Sequence, residues 1–148
     1  MKIKRGKYTI QISETVLSVL EKFKQNRKQN ESGGIILGSV FENDYIKITK
    51  LSLPNSFDKS TRHSFERNKQ IAQIVVDFEF HNSCGKTIYL GEWHTHPENN
   101  PTPSFIDRSM FKQQFKENKI NETFLIFFIQ GIETLYIGIY DGENMIDK

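Results

Sequence analysis

Cysteine is almost missing from the 148-residue chain, which contains only Cys84. A single thiol forms no intramolecular disulfide and cannot supply the several thiolates of a structural zinc site. A disulfide-stapled domain and a zinc finger are therefore excluded. The composition fits a reducing compartment, and we interpret Cys84 as inert packing rather than as a nucleophile.

Long apolar runs are missing as well. The longest one, residues 124–129, is far too short to cross a bilayer. The basic residues at positions 1–5 are followed by no apolar segment, so we expect no signal peptide. The sequence predicts a cytoplasmic protein with no membrane partner.

Charge of one sign is not in excess either. Lysine and arginine number 20 against 18 aspartate and glutamate residues, a net charge of +2. The pI of about 8.6 is only moderately basic, so we interpret the basic clusters near residues 2–7 and 22–28 as solvated faces. A nucleic-acid partner is not expected.

The chain has the size and the aromatic residues of one domain. Twelve Phe and five Tyr give a large buried area per residue, although the hydrophobic fraction is only 36%. Neither an internal repeat nor a linker rich in Pro, Gly or Ser divides the chain. Residues 1–148 are therefore expected to form a single domain.

The spacing of apolar residues predicts an α+β fold, a mixed β-sheet flanked by helices. In chain order we expect a strand over 3–12, a helix over 13–29, a hairpin over 34–41 and 45–53, a polar loop over 54–61, a helix over 67–85, a strand over 87–95, a helix over 104–119, and a hairpin over 123–130 and 133–140. The buried stripe of the second helix is expected to consist of Ile71, Ile74, Val75 and Phe78.

The residues that carry chemistry lie at the end of the strand predicted over 87–95. Residues two apart in a strand point to one face, so His94 and His96 present their imidazoles side by side while Thr95 points away. Two neutral imidazoles suit zinc, and a catalytic zinc needs a third protein ligand and one open position. Asp107, one turn into the helix that begins at Ser104, is our candidate.

Each of these elements also has an ordinary structural interpretation. An H-x-H pair occurs in surface strands, and Ser104-x-x-Asp107 is also a capping box worth about 1 kcal/mol without any chemistry. Their conjunction across one short proline-rich loop favours a metal site. The absence of H-E-x-x-H excludes a zincin, and the single cysteine excludes a nucleobase deaminase.

Taken together, these residues resemble the JAMM motif of the MPN-domain metalloproteases. The match is His94-x-His96, seven residues, Ser104, two residues and Asp107. The upstream glutamate of the motif is matched by Glu31, which precedes Gly33 and Gly34. The order of elements also resembles the MPN fold, over roughly residues 10–140.

The resemblance implies a role for each matched residue. His94, His96 and Asp107 would ligate Zn²⁺, Glu31 would activate the attacking water, and Ser104 would donate to the oxyanion. It implies a peptidase or isopeptidase that cleaves after the C-terminal tail of a ubiquitin-like protein, in deconjugation or precursor processing. Activating and conjugating enzymes of a bacterial antiphage defence operon would be further partners.

The sequence departs from the best-known eukaryotic members next to the first histidine. Glu92 stands where they carry tryptophan, and the run from Glu92 to Pro97 is similar to that of small bacterial deconjugating enzymes. Arg62, Phe65 and Arg67 are our candidates for substrate binding, on an edge segment that receives an extended tail by strand addition. A surface strand with incidental charges fits these three residues equally well.

Two other functions stay open. A non-catalytic MPN scaffold that binds protein partners is one, but such scaffolds lose metal ligands and here all matched positions are intact. A DNA-repair-associated JAMM-like protein is the other, although no helix-hairpin-helix segment accompanies the motif. Histidine and carboxylate ligands also accept divalent metals other than zinc.

Overall fold

The computed structural model describes residues 1–26, 28–118, 120 and 122–148. The described elements, in chain order, are β1 (Lys2–Arg5), β2 (Tyr8–Ile12), α1 (Glu14–Lys22), β3 (Gly33–Phe41), β4 (Tyr45–Leu51), β5 (Lys59–Thr61), β6 (Ser64–Glu66), α2 (Lys69–Asn82), β7 (Ile88–Thr95), α3 (Phe105–Glu117), β8 (Leu125–Gln130), β9 (Leu135–Tyr140) and β10 (Met145–Ile146).

Eight of these strands form one mixed sheet in the order β1-β2-β4-β3-β7-β8-β9-β10. The β2–β4 and β7–β8 pairs are parallel, and the other neighbours in the sheet are antiparallel. Strands β5 and β6 form a separate hairpin. Helices pack on the sheet, so the α+β fold with a mixed sheet is confirmed.

The sheet has a hydrophobic core on each face. On one face α1 packs over Ile36 and Phe128, and on the other Phe111 of α3 packs over Ile35 and Phe127. The Phe111 and Phe127 rings stack with their centroids 3.7 Å apart. Because β8 is covered on both faces, its six residues are all buried, and this explains its continuous apolar sequence.

The two predicted hairpins of the large sheet are confirmed, as are the strand at β7 and the helices at α2 and α3. The predicted end of the last helix, Lys119, lies outside the described residues. One expected strand is divided: residues 3–12 fold into the β1–β2 hairpin, because Gly6 adopts a left-handed φ of 56° at the turn between them.

Helix α1 is shorter than expected. It ends at Lys22 rather than near residue 29, and residue 27 lies outside the described residues. The buried Gln25 side chain donates instead to the carbonyls of Gln29 and Arg62. This amide thereby joins the segment after α1 to the β5–β6 hairpin. The first strand of that hairpin lies within the predicted loop over 54–61, whereas the second lies in the segment predicted as an edge.

The buried stripe expected on α2 is wrong in part, because Val75 packs as expected but Ile74 and Phe78 do not. Ile74 and Phe78 are 66% and 61% exposed, and the helix contacts the sheet through Ala72, Val75 and Val76. Since apolar residues lie on almost every side of α2, periodicity alone does not define the packed face. Beyond this helix, Cys84 is exposed rather than packed.

Among the described residues, no helix combines the length and the apolar character that crossing a membrane requires.

The packing predicts opposite outcomes for two Phe→Ala substitutions. Phe111→Ala should lower the free energy of unfolding by about 3–5 kcal/mol, because it removes a stacked ring from a close-packed site. Phe78→Ala should change it by no more than about 0.5 kcal/mol, since that ring faces solvent. Urea denaturation of both variants measures this, and an equal loss in the two would contradict the observed orientation of α2.

Candidate metal centre

The two histidines of the site lie where β7 ends in the middle of the sheet. His94 belongs to the strand, and the His96 N–H still donates to the Gln130 carbonyl at 2.9 Å, so the pleat continues one residue beyond β7. Both imidazoles are buried, with their Nε2 atoms 3.2 Å apart. Thr95 points away and donates to the Gln25 amide, as its position between the two histidines predicts.

A helix cap positions the third ligand. The Ser104 N–H donates to Asp107 Oδ2 at 2.7 Å, and the Asp107 N–H donates to Ser104 Oγ at 3.1 Å. This reciprocal capping box orients the carboxylate toward the histidines. Asp107 Oδ1 lies 3.0 Å from His94 Nε2, and Oδ2 lies 3.2 Å from His96 Nε2. The ordinary structural interpretation of Ser104-x-x-Asp107 as a capping box is therefore confirmed, and the same geometry leaves metal binding by Asp107 as a prediction.

Sheet register brings Glu31 to the same place. Gly33 of β3 pairs with His94 of the antiparallel β7, so the residue two positions before Gly33 comes opposite His96. Ser32 extends this pairing: its carbonyl accepts from the Thr95 N–H at 2.9 Å. Glu31 Oε1 lies 3.8 Å from His96 Nε2, and the side chain is buried.

The glycine at position 33 is required by close packing. A Cβ there would lie 2.5 Å from the Trp93 carbonyl oxygen and 2.6 Å from the Phe65 ring. Only glycine lets β7 and the β5–β6 hairpin approach the same backbone segment. The sequence Glu31-x-Gly33 thus contains both the buried carboxylate of Glu31 and, two residues later, the glycine whose close packing holds this backbone segment in place.

The protonation of the cluster follows from its burial and its partners. Burial would raise the pKa of the Asp107 carboxyl, but hydrogen bonds from His94, His96 and the Ser104 N–H hold it well below its ordinary value. Burial raises the pKa of Glu31 to about 8, with His96 opposing this shift and Asp107 adding to it. Burial would lower the pKa of His96, but the bond to Asp107 raises it.

The donor set fits a divalent ion such as zinc. One ligand atom from each of His94, His96 and Asp107 lies within 4.8 Å of the others. In a tetrahedral zinc site with bonds of about 2.0–2.1 Å, neighbouring ligand atoms are about 3.3 Å apart, close to the shortest separations in this cluster. Two imidazole nitrogens that face each other beside a buried carboxylate need a cation or a proton between them.

A cleft of about 620 Å³ leads to His94. The β5–β6 hairpin forms one wall, with Phe65, and α3 forms the other, with Ile106 and Met110. Trp93 belongs to its floor. Because the cleft ends at a ligand of the candidate metal centre, a polymer chain lying in it would reach the ligand set.

The three candidate substrate-binding residues lie in different environments. Arg62 is exposed at the hairpin turn, and Phe65 lines the cleft. Arg67 also lines the cleft, but its side chain is only 11% exposed and its guanidinium is paired with Glu92. Substrate binding by these residues stays a prediction.

Sequence reasoning missed the network around Glu92. Both oxygens of this buried carboxylate accept from Arg67 Nε at 2.9 Å, and Oε1 also accepts from the Tyr89 hydroxyl. Arg67 reaches on to Gln114 of α3 at 3.2 Å. Burial raises the pKa of Glu92, and Arg67 opposes this shift. The network joins β7, the strand that carries His94, to the end of the β5–β6 hairpin and to α3. Its only signal in the sequence was an acidic residue, Glu92, inside an apolar strand.

Comparison with known proteins identifies the family. A family model described as prokaryotic homologs of the JAB domain matches residues 13–141. The chain belongs to this family. The resemblance to JAMM/MPN proteins is thereby confirmed. In this JAB-domain protein, the candidate ligand cluster lies where β7 ends, in the middle of the eight-stranded sheet.

Several relatives of this JAB-domain protein carry functional names. It is 34% identical over 131 residues to a CD-NTase/cGAS isopeptidase of Pseudomonas aeruginosa. This alignment covers 86% of this chain and 82% of the relative. An Escherichia coli protein of the same name is 37% identical over 100 residues, covering 68% and 64% of the two chains. The probable metalloprotease y4qB of Sinorhizobium fredii is 31% identical over 100 residues, covering 67% and 61%.

A solved structure shows the same fold. The solution structure of protein DSY2949 from Desulfitobacterium hafniense superposes with a TM-score of 0.66 at 16% identity, over 94% of this chain and 89% of that one.

The Arg67–Glu92 pair predicts a strongly non-additive effect on stability. Arg67→Met should cost about 3–5 kcal/mol of unfolding free energy because it leaves a buried carboxylate unpaired, and adding Glu92→Leu should recover much of the loss. Lys69→Met is the control, since its partner Glu117 is 3.8 Å away at the surface and the change should cost less than about 1 kcal/mol. Urea denaturation of the wild type, Arg67→Met, Glu92→Leu, the double variant and Lys69→Met is the measurement, and purely additive effects of the two single changes would contradict the pairing.

Proposed function

We propose that this chain is a zinc-dependent isopeptidase, which hydrolyses the amide bond between the C-terminal tail of a ubiquitin-like protein and its target. The observation that carries the proposal is the convergence of His94, His96, Asp107 and Glu31 in one buried cluster, of which His94 also lines the cleft. The names of the relatives support the same reaction class, because both isopeptidases and metalloproteases are hydrolases.

His94, His96 and Asp107 are the residues that would hold the metal. A zinc ion bound by them supplies a Lewis acid that polarises the scissile carbonyl and makes a water acidic enough to react near neutral pH. The capping box keeps the Asp107 carboxylate oriented, and the sheet keeps the histidine pair rigid. A preorganised ligand set of this kind needs little rearrangement during the reaction.

Glu31 is the proton carrier of the proposed mechanism. Its Oε1 lies 3.8 Å from His96 Nε2, close enough for the carboxylate to contact a water beside the ligand set. It takes a proton from this water as the water attacks the carbonyl carbon. The same oxygen then gives the proton to the departing amine nitrogen.

Ser104 stabilises the developing oxyanion in this proposal. Its Oγ accepts a hydrogen bond from the Asp107 N–H, and this leaves the hydroxyl proton available for another acceptor. The carbonyl oxygen becomes that acceptor as it gains negative charge.

The cleft fits an extended and narrow chain. The carbonyls of Ser60 and Thr61 in β5 accept hydrogen bonds from Asn30 and Glu31, so the outer edge of β5 is already occupied. The other edge of the hairpin is the outer backbone of β6. A substrate tail adds to β6 as a further strand, and small residues such as glycine pass between the hairpin and α3. Arg62 and Phe65 contact this tail in the proposal.

The names of the relatives support a proposal for the target and the partners. Since the similar proteins are named CD-NTase/cGAS isopeptidases, we place a CD-NTase in the conjugate that this enzyme cleaves. Its setting is an antiphage defence operon, whose activating and conjugating enzymes produce that conjugate.

Neither alternative function has equal support. A scaffold has no need of a buried ligand set with a carboxylate beside it. A DNA-repair-associated protein would bind DNA and show no peptidase activity. Zinc content, DNA binding, and cleavage of a ubiquitin-like fusion protein with and without a chelator together distinguish all three functions.

Substitutions at the centre should separate metal binding from turnover. Glu31→Gln should retain one zinc per chain and lose at least about 100-fold in kcat, since the proton carrier is not a ligand. His96→Ala should lose both zinc and activity. Metal analysis and cleavage kinetics on the same preparations are the measurements, and normal turnover by Glu31→Gln would refute the assigned proton carrier.

The cleft wall should control the affinity for the tail. Ile106→Glu should raise KM for a ubiquitin-like fusion by at least about tenfold, because it places a charge against the apolar lining of the cleft. Zinc content should not change. Phe78→Glu, on an equally exposed apolar residue outside the cleft lining, is the matched control and should leave KM unchanged. Equal effects of the two variants would argue against this cleft as the tail site.

A further inference from the structure

Among the described residues, one polar atom of the candidate metal centre has no hydrogen-bond partner. His96 Nδ1 is buried and makes no hydrogen bond to the described residues, while Nε2 of the same ring faces Asp107 and Glu31. A neutral imidazole carries one proton, so a ring that binds metal through Nε2 has its proton on Nδ1. A buried N–H without an acceptor costs about 1–3 kcal/mol.

The carboxylate of Glu98 lies close to where an acceptor for a hydrogen bond from this N–H would be. Its Oε1 lies 3.9 Å from His96 Nδ1, just beyond hydrogen-bonding distance. The side chain is 58% exposed, so a change of rotamer displaces few neighbouring atoms. In metalloproteins a ligating histidine almost always donates its second N–H to a carboxylate, a carbonyl or water.

The backbone at Glu98 is held by the turn between β8 and β9. The Glu98 carbonyl accepts from the Ile132 N–H at 2.8 Å, and the Asn99 carbonyl accepts from Glu133 and Thr134 at 3.0 and 3.1 Å. A Cβ at Gly131 would lie 2.7 Å from the Glu98 carbonyl oxygen, so this contact requires glycine. The reach of the Glu98 side chain is therefore set by its own length.

We propose that Glu98 is a positioning residue, which accepts the Nδ1–H of His96 and thereby directs Nε2 at the metal. The inference rests on the proposed metal centre. The hydrogen bond fixes the tautomer and the ring orientation of His96, so its loss weakens metal binding before it affects any chemical step. Glu98 makes no contact with the substrate in this role.

Three variants distinguish this hydrogen bond from a general effect of charge. The probe is Zn²⁺ alone, and its Kd is measured by competition with a chromogenic chelator. Glu98→Ala should bind zinc about 10–100-fold more weakly. Glu98→Gln keeps an acceptor of the same length and should stay within a few-fold of the wild type. Glu98→Asp keeps the charge but is too short, and it should resemble Glu98→Ala.

Glu133→Ala is the matched control. It removes one negative charge and the bond to the Asn99 amide in the same turn, but it has no role at His96, so zinc affinity should not change. A loss of affinity in this variant equal to that of Glu98→Ala would overturn the proposal in favour of damage to the turn. If zinc affinity instead depends on charge, so that it is normal in Glu98→Asp and weak in Glu98→Gln, the proposed hydrogen bond is wrong.

Zinc binding by the wild type tests the proposed metal centre separately from the role of Glu98. If the wild type binds zinc and Glu98→Ala binds it equally well, this inference alone fails. If the wild type binds no zinc, the proposed function fails and this inference fails with it.

Discussion

The antiparallel pairing of β3 with β7 is the constraint on which the site depends. It places Gly33 opposite His94 and therefore Glu31 opposite His96. A slip of one residue would turn the Glu31 side chain to the other face of the sheet, because strand side chains alternate. Parallel pairing with β8 supports β7 from its other side and extends to the His96 N–H. The histidine pair therefore lies on rigid backbone.

Buried charge gives the site its second constraint. Asp107, Glu31 and Glu92 are all buried carboxylates, and each needs compensation to remain ionised. Arg67 compensates Glu92 with a bidentate contact, and the histidines and the helix cap compensate Asp107. Glu31 has the weakest compensation, and burial raises its pKa to about 8. A divalent ion beside it would complete the balance of charge, which is why the cluster suits a metal centre better than a structural ion pair.

The β5–β6 hairpin gives this JAB-domain protein its cleft. It is tied to the centre by the Phe65 contact with Gly33, by the Glu31 N–H bond to Thr61, and by Arg67 at its exit. The cleft wall and the candidate ligand cluster are thus parts of one connected structure.

Local patterns in the sequence were sufficient for most of the ligand set. Alternation along a strand placed His94 and His96 on one face, and the cap at Ser104 placed Asp107 in the first turn of a helix. Glu31 was identified through resemblance to a family, since no local rule connects it to residues more than sixty positions away. The order of the central strands and the three helices followed from the spacing of apolar residues, whereas the β5–β6 hairpin and the short strands β1 and β10 did not.

Long-range packing decided the rest. The contact face of α2, the end of α1 at Lys22, and the pairing of Arg67 with Glu92 all depend on neighbours distant in the chain. Periodicity cannot orient a helix that is apolar on almost every side, and it cannot show which cation will meet a buried carboxylate. The ligand residue types and their spacing are properties of the chain, whereas their convergence at one point exists only because sheet register and a helix cap hold three separate segments together.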